Sequence, residues 1–146
     1  MRFMMIVKAS KDSEAGKLPS DELIAAMGKY NEELLKAGVL VDLAGLQSTS
    51  KGFRVRCTSS GERTVIDGPF PETKELIAGY WIINVKSRDE ALAWAKRVPP
   101  PHGPDQECEL EIRQVFELED FHPSDAVDHH KAIGEKLAAS KKSGAA

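Results

Sequence analysis

Two cysteines, Cys57 and Cys108, are the only thiols among 146 residues. They are too few and too far apart for a disulfide framework, and they stand in no metal-ligand spacing. Buried or free thiols in a reducing cytosol suit them better. No apolar run reaches the about 20 residues that a membrane-crossing helix requires. The opening run Met1-Arg2-Phe3-Met4-Met5-Ile6-Val7-Lys8 is too short for a secretory signal and lacks a small-residue cleavage site, so it reads as a first strand. A dominant charge is missing too: the formal net charge is -3 with 29% charged residues. Without a concentrated basic face, nucleic acid is not an expected partner. There is no glycine-rich phosphate loop, no HExxH, no CxxC and no triad spacing, so neither a cofactor nor a metal is expected. Of the four histidines, His102 stands in a proline-rich loop, His122 at the end of the domain, and His129 and His130 in the tail. Asp125 and His129, four apart, could meet on a helix, but a metal needs three or four converging ligands. Internal repeats at solenoid periods are also absent.

What is present is enough for one core. The hydrophobic share is 41%, in a chain of ordinary single-domain length. Residues 2–8 are apolar on both faces, as in a strand covered on two sides. A polar loop follows from Lys11 to Lys17. Ser20 is a plausible N-cap, with Asp21 and Glu22 where the helix dipole favours acids. Leu23, Ala26, Met27, Tyr30, Leu34 and Ala37 recur at helical spacing, and Gly38 stands where a left-handed residue ends a helix. Residues 39–44 read as a second strand. Phe53, Val55 and Cys57 alternate with Arg54, Arg56 and Thr58. Ser59-Ser60-Gly61-Glu62 turns this strand back into residues 63–66 as a hairpin. Residues 78–85 are the strongest strand, rich in aromatic and β-branched residues. Ser87 and Glu90 form a capping box for a second helix, with Ala91, Trp94, Ala95 and Val98 inward and three prolines at its end. Cys108, Leu110 and Ile112 alternate with charged residues as a last strand. Beyond Phe121 the composition thins. Residues 122–146 read as an extension, helical over about 124–139, lying on the surface or on a partner chain, with its last residues frayed.

The order β-α-β, hairpin, β-α-β predicts an α+β domain over residues 1–121, a ferredoxin-like arrangement with an inserted β-hairpin. Two helices cover one face of such a sheet. The first and strongest strands are apolar on both, so a second copy of the sheet is the expected cover, giving a homodimer.

The densest stretch is Asp67-Gly68-Pro69-Phe70-Pro71-Glu72-Thr73-Lys74-Glu75. Asp67 and Glu72 are the candidate acid–base pair, since two carboxylates in unlike surroundings can divide those roles. More simply, Asp67-Gly68 is good turn chemistry, and Glu72 can cap the turn that follows. Lys74 suits an anionic substrate, or a pair with Glu72 or Glu75. Phe70 supplies an apolar wall. Tyr30 falls in the core stripe, but its hydroxyl needs a partner, for which Asp67 or Glu72 is a candidate. Asn31 flanks it. Arg54 and Arg56 are placed to clamp a carboxylate or, more often for such residues, to blunt a sheet edge.

That stretch, with Ala78-Gly79-Tyr80-Trp81 after it, resembles the signature of YCII-related proteins of the DGPF type. Tyr30-Asn31-Glu32-Glu33-Leu34, Gly38-Val39-Leu40, Gly45-Leu46-Gln47, Ser50-Lys51-Gly52 and Arg113-Gln114-Val115-Phe116-Glu117 extend the resemblance over roughly residues 1–121. Pro71 stands where alanine is common. The resemblance implies a dimeric α+β barrel. Better-studied relatives use a His–Asp pair whose histidine lies on the first helix, and one of them removes chloride from a chlorinated hydroxyquinone. Here residues 20–37 contain no histidine, so the pair does not carry over. The expectation is an uncharacterised cytoplasmic YCII-related protein, with acid–base chemistry on a small molecule at Asp67 and Glu72, and with Tyr30, Asn31, Phe70 and Lys74 around the substrate. The alternative is a non-catalytic small-molecule-binding or regulatory module whose loop is structural and supports the dimer.

Overall fold

The computed structural model describes residues 1–144. The chain divides into two compact units, Met1–Gln114 and the segment after it. The first unit is α+β. Strand β1 (Arg2–Lys8) is followed by a short helix α1 (Lys11–Glu14), the long helix α2 (Asp21–Lys36) and strand β2 (Leu40–Gly45). Strands β3 (Phe53–Cys57) and β4 (Arg63–Asp67) come next, then β5 (Ile77–Asn84), helix α3 (Arg88–Ala95) and β6 (Leu110–Gln114). Four strands form one antiparallel sheet in the order β2-β5-β1-β6, and β3 and β4 form a separate ribbon. Among the described residues neither sheet closes into a barrel.

Local chemistry sets the ends. Ser20 accepts from the Leu23 N–H at 3.2 Å and starts α2, and Gly38, at φ 72°, ends it in the left-handed region that its missing Cβ permits. Ser87 accepts from the Glu90 N–H, while the Glu90 carboxylate reaches one residue further back than expected, to the Lys86 N–H. The stretch expected as a polar loop contains α1, where Ser10 and Ser13 bond each other's backbone N–H groups. Helix α3 stops at Ala95, before the prolines.

The core lies between the sheet and its two helices. Phe3, Met5 and Val7 of β1 and Trp81 and Ile83 of β5 meet Tyr30 and Leu34 of α2 and Ala91 of α3. Burying such side chains stabilises by about 1.5–3 kcal/mol each. The other face presents Met4, Ile6, Tyr80 and Ile82, all half-buried. Glu111 and Arg113 of β6 flank them. Every residue of β3 is exposed, with Phe53 and Val55 among the uncovered apolar side chains. Both cysteines are free and exposed, so of the two expectations for them only the free thiol holds.

In the second unit, helix α4 (Asp125–Gly144) runs five residues past the expected helix end and buries none of its side chains. The expected fraying falls partly on Ala145 and Ala146, which lie outside the described residues. No helix among the described residues is long and apolar enough to cross a membrane.

Candidate functional site

Asp67 is the last residue of β4, opposite Phe53, and not a loop residue. It is exposed, and its carboxylate has no partner among the described residues. The turn chemistry expected of it does not form. The loop is instead held by its backbone. The Gly68 N–H donates to the Gly52 carbonyl at 3.0 Å, and the Phe70 N–H to Thr49 Oγ1 at 3.0 Å. Thr49 in turn donates its hydroxyl to Glu14 Oε2 at 2.6 Å and its N–H to the same carboxylate. A Cβ on Gly68 would overlap the Thr49 carbonyl, so only glycine allows this approach. The Gly68–Pro69 peptide is cis.

Glu72 is engaged by Arg54. Nη1 and Nη2 donate to the two carboxylate oxygens at 3.4 and 3.2 Å, and the guanidinium carbon lies 3.7 Å from the centre of the Phe70 ring. The Arg54 hydrogen bond, with a bond from its own backbone N–H, holds the Glu72 carboxyl below its ordinary pKa. Arg54, which could have clamped a substrate carboxylate, therefore closes on the chain's own loop. Lys74 forms no pair with Glu72 or Glu75. It lines a small cavity of about 610 Å³ together with Glu75, Glu107, Glu109 and Glu111.

Tyr30 is a core residue. Its hydroxyl donates to the Trp94 carbonyl at 2.9 Å, at the end of α3, and reaches neither Asp67 nor Glu72. Burial pushes its pKa from 10.0 to about 12, with Arg97 pulling it down and Glu33 pushing it up.

A larger concavity lies elsewhere. A cleft of about 840 Å³ opens between α2, the end of β2, β5 and the loops after β1 and α3. Leu18, Leu43, Leu46 and Ile24 line it, and all four are exposed. Of the candidate residues only Asn31 reaches this cleft. The Trp81 Nε1–H donates to Asn31 Oδ1 at 2.7 Å. An indole N–H can only donate, so this bond fixes the amide with its NH2 group turned away from the ring. His102 also lines the cleft, and its Nε2 lies 2.8 Å from the Lys8 carbonyl. Its signal in the sequence was a histidine followed by Gly103, whose φ of 105° turns the loop at that point.

A family model described as the YCII-related domain matches residues 1–118. The chain belongs to that family. An uncharacterised protein of Rhizobium meliloti is 43% identical to it over 75 residues, which is 51% of this chain. The match spans 56% of that protein.

Proposed function

We propose that this YCII-related protein is a small-molecule-binding module whose ligand occupies the cleft beneath α2, with the Asp67 loop as a structural support. One observation carries the reading: four exposed, large aliphatic side chains gather around a single concavity. Uncovered apolar surface in a cleft marks binding more often than it marks idle surface. Asp67 and Glu72, the expected acid and base, line neither this cleft nor the smaller cavity. Glu72 is engaged by Arg54, and Phe70 lies beneath the same guanidinium.

The strand order β2-β5-β1-β6 fits a ferredoxin-like half. Its half-buried second face, with Met4, Ile6, Tyr80 and Ile82, fits a second copy of the chain, completing a dimeric α+β barrel. Two exposed free thiols suit a reducing cytoplasm.

Nile red, a neutral dye that brightens in apolar surroundings, tests the location. The dye brightens with the wild-type protein. Gly28→Trp, which fills the cleft from α2, abolishes the response, and Asp67→Ala leaves it unchanged. Loss of the response in Asp67→Ala with retention in Gly28→Trp would return the site to the loop.

A further inference from the structure

We infer that the cleft takes an uncharged, mainly aliphatic molecule carrying a hydroxyl or N–H group, and that His102 Nδ1 is the acceptor for that group. This rests on the reading of the cleft as the ligand site and goes on to define what fits it.

Charge comes first. Apart from His102, the ionisable residues that line the cleft are Asp12, Lys17 and Tyr80. Asp12 and Lys17 pair with each other at 3.6 Å, and Gln106 Nε2 also donates to Asp12 at 3.4 Å. The two formal charges cancel on the wall itself. A charged ligand would lose water on entering and find no free opposite charge. The apolar wall is mostly aliphatic, with Leu18, Leu23, Ile24, Met27, Leu43 and Leu46 beside Tyr80 and Trp81.

Orientation follows from His102. A backbone carbonyl only accepts, so the 2.8 Å contact with Lys8 requires the proton on Nε2. In the neutral ring Nδ1 is then the bare acceptor. It has no partner among the described residues. Since no side-chain nitrogen or oxygen without a partner is fully buried among the described residues, Nδ1 keeps some access to solvent, on a ring that lines both this cleft and the smaller cavity. Asn31, fixed by Trp81, offers its NH2 donors to the same cleft. A hydroxyl, at once donor and acceptor, satisfies both kinds of group.

Four eight-carbon probes separate these elements at pH 7.5 by titration calorimetry: 1-octanol, its isomer heptyl methyl ether, octanoate and octylammonium. The expected result is octanol binding about tenfold tighter than the ether, the value of one well-made hydrogen bond, and tighter than both ions. His102→Phe removes the octanol-over-ether preference and leaves ether binding within about twofold, since only the acceptor is lost. A second readout uses the unaltered protein: octanol shifts the Nδ1 resonance of His102 in the nitrogen-15 spectrum and the ether does not. If both neutral probes bind equally, if His102→Phe keeps the preference, if octanol leaves Nδ1 unmoved or if an ion binds tightest, the inference falls while the cleft remains a ligand site. If none of the four binds and Nile red is also silent, the reading of the cleft falls with it.

Discussion

The Tyr30 ring sits among others, its centre 5.6 Å from that of Trp81 and 6.3 Å from that of Trp94, and the single bond its hydroxyl donates ends on the Trp94 carbonyl. Helical spacing placed this residue in the core. The partner of its hydroxyl was not legible, because it is a backbone oxygen 64 positions away. Such a group stabilises only while it keeps its proton. The folded pKa, about 12, lies above the unfolded value of 10.0. Below pH 10 both states are protonated and the folding free energy does not respond. Between the two values the unfolded chain loses its proton first, so stability falls as pH rises. Denaturant midpoints measured from pH 8 upward should be flat to about pH 10 and then decline, and Tyr30→Phe should remove most of that decline. At neutral pH the same substitution should cost roughly 0.5–1.5 kcal/mol, through the lost hydrogen bond. Asp67→Ala should leave the midpoint within about 0.5 kcal/mol, as expected for an exposed group without partners.

Among the elements, the strands, helices α2 and α3 and the hairpin were readable because each combines a period with a punctuation mark: Ser20 and Gly38 around α2, Ser87 before α3, Gly61 between β3 and β4. The conspicuous loop was readable as a family mark, and its mechanics were not. What holds it are Gly52, Thr49 and Glu14, lying 16 to 56 residues upstream of Gly68 and Phe70. No local pattern announces contacts of that reach. Thr49→Val keeps the shape and deletes the hydroxyl, leaving the Phe70 N–H and the Glu14 carboxylate each short of a partner. The expected cost is roughly 1–3 kcal/mol in chemical denaturation. Gly68→Ala forces a methyl group against the Thr49 carbonyl and should cost a similar roughly 1–3 kcal/mol. If either variant melts with the wild type, the loop is not anchored in this way.

At the scale of the whole molecule, the sheet faces differ in kind. One is closed by α2 and α3, and the other leaves Met4, Ile6, Tyr80 and Ile82 half-covered beside Glu111 and Arg113. Light scattering at micromolar concentration should give twice the chain mass. Ile6→Glu, which sets a charge in the middle of that face, should give the single-chain mass with the helical signal retained. A wild-type protein of single-chain mass would remove the second copy from the account. The apolar character of this face was legible from alternation alone. The cleft was not, because its walls come from five separate stretches and its most informative residue, His102, stands in a loop with no period at all.

The bond between Trp81 and Asn31 has an optical consequence. The chain has two tryptophans, and they occupy unlike settings. Trp94 lies 4.3 Å from the Arg97 guanidinium, while the Trp81 N–H ends on an amide that lines the cleft. An occupant that draws on the Asn31 amide polarises the oxygen facing the indole, so it shifts the emission of one fluorophore and spares the other. The protein is thus its own dye: difference emission spectra, with Trp94→Phe to isolate the responding ring, would read occupancy of the cleft in unlabelled material.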